Sequence, residues 1–137
     1  MATMASFVLA DGQTTPTNHT FVPVSNYNGL FVWEEKNVDA AVGNRKITMS
    51  LRNPQGKPAV YKAIIKIWNP KLDVTSPSTA TGYQPAPRVA YSLSSTHEVL
   101  IPERSALADR KDSTAFAKNL YAQSVLTDLL NELVTPI

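Results

Sequence analysis

Four cations, Lys46, Arg52, Lys62 and Lys66, fall at even spacings in two stretches, KITMSLR and VYKAIIKIW. In the first stretch Lys46, Thr48, Ser50 and Arg52 alternate with Ile47, Met49 and Leu51. In the second Lys62, Ile64, Lys66 and Trp68 alternate with Tyr61, Ala63, Ile65 and Ile67. Period-two alternation sends the two sets to opposite faces of a β-ribbon, and Asn53-Pro54-Gln55-Gly56 supplies a turn between its strands. From Arg45 to Leu72 there is no Asp or Glu. One face is therefore apolar, and the other gathers positive charge with small hydroxyls between. Such segregation suits a polyanion: lysine and arginine supply phosphate affinity, and short polar groups reach the edges of unpaired bases. The competing reading is a solvated outer face whose lysines protect a sheet edge. Trp68 and Tyr61 are candidate stacking groups, although such rings more often pack in a core or an interface.

Catalytic constellations are poorly represented. His19 and His97 are the two histidines, and neither has a carboxylate, serine or cysteine at a recognisable spacing. Glu34 and Glu35 are adjacent on a strand, so they point to opposite faces. The five glycines form neither a GxGxxG nor a P-loop pattern. No catalytic residue, metal site or cofactor is expected, and the chain reads as a non-enzyme.

The supporting elements follow from the same periodicities. Ser6–Ala10 and His19–Pro23 read as the two strands of an N-terminal hairpin with Asp11-Gly12 as a turn signal, and Ser25–Gly29 reads as a loop. A third strand starts at Leu30 and reaches Glu34 or Asn37. The basic hairpin follows. Residues 71–88, rich in Pro, Ser, Thr and Gly, predict a long loop that is functional or mobile rather than a mere connector. Val89–Ile101 is a strand with Ser94, Thr96 and Glu98 on one face and Tyr91, Leu93, Ser95, His97 and Val99 on the other. The period then becomes helical: Asp109–Ala122 predicts one helix, and Ser124 caps a second with a wide apolar stripe over Val125, Leu126, Leu129, Leu130, Leu133 and Val134. Strands followed by helices make an α+β fold. The helices are the expected cover for the apolar face of the sheet, and the excess apolar surface of the second helix predicts a subunit interface.

At 137 residues the chain is expected to form a single domain, 1–137, divided into hairpin (1–24), main sheet (30–101) and helices (105–135). A net charge of +2 does not itself announce a nucleic-acid binder; placement does. The absence of cysteine excludes disulfides and fits a reducing compartment. No apolar run approaches the roughly 20 residues of a membrane span, and the first residues lack the basic segment of a secretory signal.

Lys46-Ile-Thr-Met-Ser-Leu-Arg52, Lys62-Ala-Ile-Ile-Lys-Ile-Trp-Asn-Pro70 and Asn28-Gly29-Leu30 with Trp33 together resemble the coat proteins of small RNA bacteriophages, the leviviruses. Phe7-Val-Leu9 with Asp11, His19–Pro23, Pro87–Tyr91, His97-Glu98-Val99 and Arg110-Lys111 match in the same order, so the resemblance spans nearly the whole chain. It implies an N-terminal hairpin, a five-stranded antiparallel sheet and two C-terminal helices that pack on the partner subunit of an intertwined dimer. It also implies dimers that assemble into an icosahedral shell around single-stranded genomic RNA, with an RNA stem-loop held on the inner face to repress translation. The long loop would make contacts at the symmetry axes, and a minor maturation protein would be a further partner. Assembly would take place in the cytoplasm of a bacterial host, and the product would be a virion.

Carried over by position, the RNA contacts implied are Leu30, Lys46, Thr48, Ser50, Arg52, Lys62, Ile64, Lys66, Ser94, Thr96 and Glu98. Ile64 stands where the best-known members have threonine, and Ser94 where they have a tyrosine that stacks on a base. These departures imply a stem-loop of different sequence. A second function class is a small dimeric host single-strand-binding or regulatory module that forms no shell.

Overall fold

The computed structural model describes residues 3–36, 41–73 and 86–137. Six antiparallel strands follow one another in chain order across a single sheet: β1 (Phe7–Ala10), β2 (Asn18–Tyr27), β3 (Leu30–Glu35), β4 (Lys46–Arg52), β5 (Val60–Leu72) and β6 (Val89–Pro102). The α+β architecture is thus as expected, but the hairpin is no separate unit before a five-stranded sheet. Strand β2 bonds to β1 on one side and to β3 on the other, which makes one sheet of six.

Three local differences have physical causes. Ser25–Gly29 is not a loop: β2 runs on to Tyr27 and turns in two residues, Asn28 (φ 51°) and Gly29 (φ 74°). Asn-Gly with both φ values positive is the tight turn whose twist matches flanking strands. Pro23 does not end β2: it pairs with Trp33, and a register shift between Pro23 and Ser25 leaves Val24 as the extra residue while the strand runs on. Strand β5 likewise passes through Pro70, opposite Ser92, and ends at Leu72. The long loop expected from Lys71 therefore starts later; its residues 74–85, like Asn37 at the suggested end of β3, lie outside the described residues. Asp73 and Arg88, flanking it, are joined by a backbone bond of 2.9 Å and an ion pair.

The core sits on one face at the β1–β4 end. Phe21, Trp33 and Ile47 are 4%, 8% and 3% exposed, with Met4, Phe7, Phe31 and Met49 packed against them. The rings of Phe7 and Phe21 stack at 5.6 Å between centroids, and Trp33 donates its indole N–H to the Ala5 carbonyl at 3.0 Å. The N-terminal residues thus cover this end, a role the sequence reading gave to the helices.

Helix α1 (Leu107–Leu120) starts two residues earlier than expected. The Asp109 carboxylate accepts the Ala106 N–H at 3.3 Å, which satisfies one free donor of the first turn. Helix α2 (Ser124–Thr127) continues as a wider turn over Asp128–Glu132, and Leu133 ends it at φ 58°. Ser124 is its first residue rather than its cap; Gln123 holds the cap position without a side-chain bond. The helices do not lie over their own sheet. Tyr121, just past α1, reaches His97 of β6 with its hydroxyl at 3.2 Å from Nδ1, while Phe116 and Leu133 are 74% and 83% exposed.

Candidate nucleic-acid interface

The register of β3–β6 fixes which side chains share the face opposite the core. Across β4 and β5, Lys46 pairs with Trp68, Thr48 with Lys66, Ser50 with Ile64 and Arg52 with Lys62. Across β5 and β6, Trp68 pairs with Ser94, Lys66 with Thr96 and Ile64 with Glu98. Leu30 pairs with Ser50 at the β3 edge of this group. Direct cross-strand partners lie on the same face, so all eleven residues carried over in the sequence reading project together. Val32, Glu34 and Leu100 join them, opposite Thr48, Lys46 and Lys62; the sequence reading did not place these three in the site, although alternation along β3 and β6 could have found them.

The charges on this face differ in how far they are engaged. Lys62 Nζ pairs with the Glu98 carboxylate at 3.1 Å. Lys46 Nζ sits 5.7 Å from the centroid of the Trp68 ring, a cation over an aromatic face. Lys66 is exposed between two threonines, and among the described residues it makes no ion pair. Arg52 stands directly opposite Lys62. Like charges in that arrangement repel, and an anion bridging them removes the repulsion. The face thus combines ready cations with hydroxyls at the width of a strand pair. Tyr61 pairs with Ile101 and points to the other face, so of the two candidate stacking rings only Trp68 is on the basic side.

A second polar cluster lies on the core face, at its β1–β2 end. His19 Nδ1 is 2.5 Å from Glu35 Oε1, and its Nε2 is 3.1 Å from Asp11 Oδ2. Arg45 donates to Glu35 Oε2 at 2.5 Å and, through Nε, to Asn69 Oδ1 at 3.0 Å. The bonds to Asp11 and then to Glu35 raise the His19 pKa above its ordinary value, because only an imidazolium donates from both nitrogens. Asp11 is held below the usual carboxylate range by the Thr17 N–H and then by His19. Burial pushes Glu35 up, but its bonds from Arg45 and His19 outweigh this and leave its pKa lowered. His19 therefore does have carboxylate partners, which the sequence reading missed because they come from 8 and 16 positions away. Glu34 and Glu35 do diverge as expected: Glu34 accepts from Asn44 Nδ2 at 2.7 Å, and Glu35 enters the histidine cluster.

The family described as Levivirus coat protein matches residues 2–136. The chain belongs to that family. The capsid protein of Pseudomonas phage PP7 is 32% identical over 129 residues, which cover 94% of each chain. Among solved structures, the virus-like particle of bacteriophage ESE058 superposes with a TM-score of 0.89 at 27% identity, over 99% of this chain and 100% of that one. The virus-like particle of bacteriophage NT-214 gives 0.85 at 31% identity, with the same coverage. The levivirus resemblance read from the motifs is thereby borne out, and the role of this coat protein is that of a structural capsid component. Its relatives are capsid proteins, and they point to no enzymatic family.

Proposed function

We propose that this coat protein is an obligate homodimer that assembles into an icosahedral shell in the host cytoplasm, packages single-stranded genomic RNA on its basic sheet face and holds an RNA stem-loop there as a translational repressor. The observation that carries the RNA reading is the common projection of Lys46, Thr48, Ser50, Arg52, Lys62 and Lys66 from two paired strands. In this reading Lys46, Lys62 and Lys66 act on phosphates, Thr48 and Ser50 discriminate bases, and Leu30, Ile64, Ser94, Thr96 and Glu98 complete the contact surface. Glu98, bonded to Lys62, orients that ammonium and can accept from a base amino group once the lysine turns to phosphate.

The dimer reading draws on the other face. An apolar depression of about 540 Å³, lined by Met4, Phe7, Phe31, Met49, Leu51 and Ile65 among others, stands open beside the core. The apolar side chains Phe116, Leu120, Leu129 and Leu130 on the helical segment are exposed in the single chain. Two copies exchanging helices across such faces would remove both apolar surfaces from water at about 25 cal/mol per Å². A maturation protein and genomic RNA complete the set of partners in this proposal.

The test pairs particle imaging with RNA binding. Expressed alone, the coat protein is expected to yield shells containing host RNA by electron microscopy. Lys66→Ala should weaken binding of genomic stem-loops and scrambled RNAs alike and reduce the salt slope by about one. Unchanged affinity would leave the lysines as a solvated surface. A free dimer at all concentrations would overturn the shell-forming part of this proposal.

A further inference from the structure

We propose that the Trp68 indole is a stacking platform for one unpaired base of bound single-stranded RNA, and that Lys46, which lies over this ring in the free protein, turns to the neighbouring phosphate on binding. The inference deepens the RNA reading above and rests on it. Three observations lead here. Register places Trp68 on the basic face, with Lys46 directly opposite on β4 and Ser94 directly opposite on β6. The ring therefore sits between an ammonium and a small hydroxyl side chain that leaves space above the strand. The apolar core lies on the other face, around Phe21, Trp33 and Ile47, so Trp68 is not part of it. The cation nearest the ring, Lys46 Nζ at 5.7 Å from the centroid, is held by a contact that a phosphate can replace.

Stacking on a ring is tolerant of sequence because every base has a π-face. Charge around the ring favours a nucleotide over an apolar peptide: Lys46 and Lys66 are both two residues away or directly opposite, and Thr96 faces Lys66. Ser94 and Thr96, beside the ring on β6, then face the edge of the stacked base, so discrimination at this position comes from them and not from the stacking itself.

The test titrates the full-length protein with oligouridylate and with inorganic polyphosphate while following tryptophan emission. Oligouridylate should quench the emission and polyphosphate should not, because Trp33 is buried and only Trp68 can meet a base. Trp68→Phe should abolish the quench while retaining most of the affinity. Trp68→Ala should weaken oligouridylate binding about ten-fold with an unchanged salt slope. An equal quench by polyphosphate, or a quench that survives in Trp68→Phe, would overturn the proposal; the emission data decide it even if Trp68→Ala fails to fold. Lys66→Ala separates the two levels. If it leaves RNA affinity intact, the basic-face reading fails; if it lowers affinity while both Trp68 variants bind and fluoresce like their parents, apart from the indole's own emission, only the stacking assignment fails.

Discussion

At the β1–β4 end of the sheet, Phe7 and Met4 fold over Phe21, Trp33 and Ile47 and close a core from one chain. At the β5–β6 end the same face shows Ile67, Leu93 and Val99 exposed, and the helices that follow leave Phe116, Leu120 and Leu130 exposed as well. The strands are built alike in both regions, with period-two alternation and antiparallel pairing that shifts register once in each. What differs is where the covering residues come from. The first region covers its buried residues from a few N-terminal ones and leaves only a depression open beside them, whereas the second carries broadly exposed apolar surface that needs another molecule. A sheet can thus be finished at one end and left open at the other without any change in its backbone.

The largest effect that could break this comparison is expected from Leu130→Asp, which places a charge on the exposed helical stripe. Shells and dimers should disappear from size-exclusion profiles; if they persist, the open region is not an association surface. Trp33→Ala attacks the closed region and should lower stability by about 3–5 kcal/mol, read from the urea midpoint. A loss below about 1 kcal/mol would mean that this end, too, depends on a partner for its core.

The smallest effect concerns the anchor of the hairpin. His19 is raised, so its contribution is fully present below the ordinary imidazole value of about 6.5 and fades as pH rises through its higher folded value. Asp11 and Glu35 are lowered, so theirs is present above the ordinary values of 3.8 and 4.5 and fades as pH falls through their lower folded values. Asp11, Glu35 and Arg45 face the imidazole, and Lys71 lines the same cavity. The thermal midpoint should therefore be highest between about pH 4.5 and 6.5. His19→Gln should remove its decline on the alkaline side, at a cost of about 1 kcal/mol in that window. An unchanged alkaline limb in the variant would show that the cluster does not hold the hairpin.

Much of the fold was legible because a strand's faces are set by a period of two, which survives in Lys46–Arg52, in Val60–Trp68 and in Val89–Ile101. The same rule brought the eleven candidate contacts to one face. A proline misled: Pro23 reads as a strand end or an edge position, while a register shift just after it carries β2 on to Tyr27. Asn28-Gly29 was a hairpin signal hidden in a polar run that looked like a loop. The His19 cluster could not be read from spacing, because its bonds join β2 to the β1–β2 turn and to β3, with Arg45 preceding β4, and only pairing in space brings these together. Trp68 shows the limit of residue type: its size suggested packing, whereas alternation had already set it among the lysines.

The turn between β1 and β2 has a practical consequence. A single carboxylate, Asp11, ties it by accepting the N–H groups of Gln13 and Thr17 at 3.2 and 3.0 Å, and residues 12–18 are exposed. A Cβ added at Gly12 would meet nothing within 4 Å. Lengthening a loop costs only about 0.6 kcal/mol for each doubling. Foreign peptides spliced between residues 13 and 16 would accordingly be carried as outward projections at little expense to the scaffold, provided Asp11 and Thr17 still frame the graft.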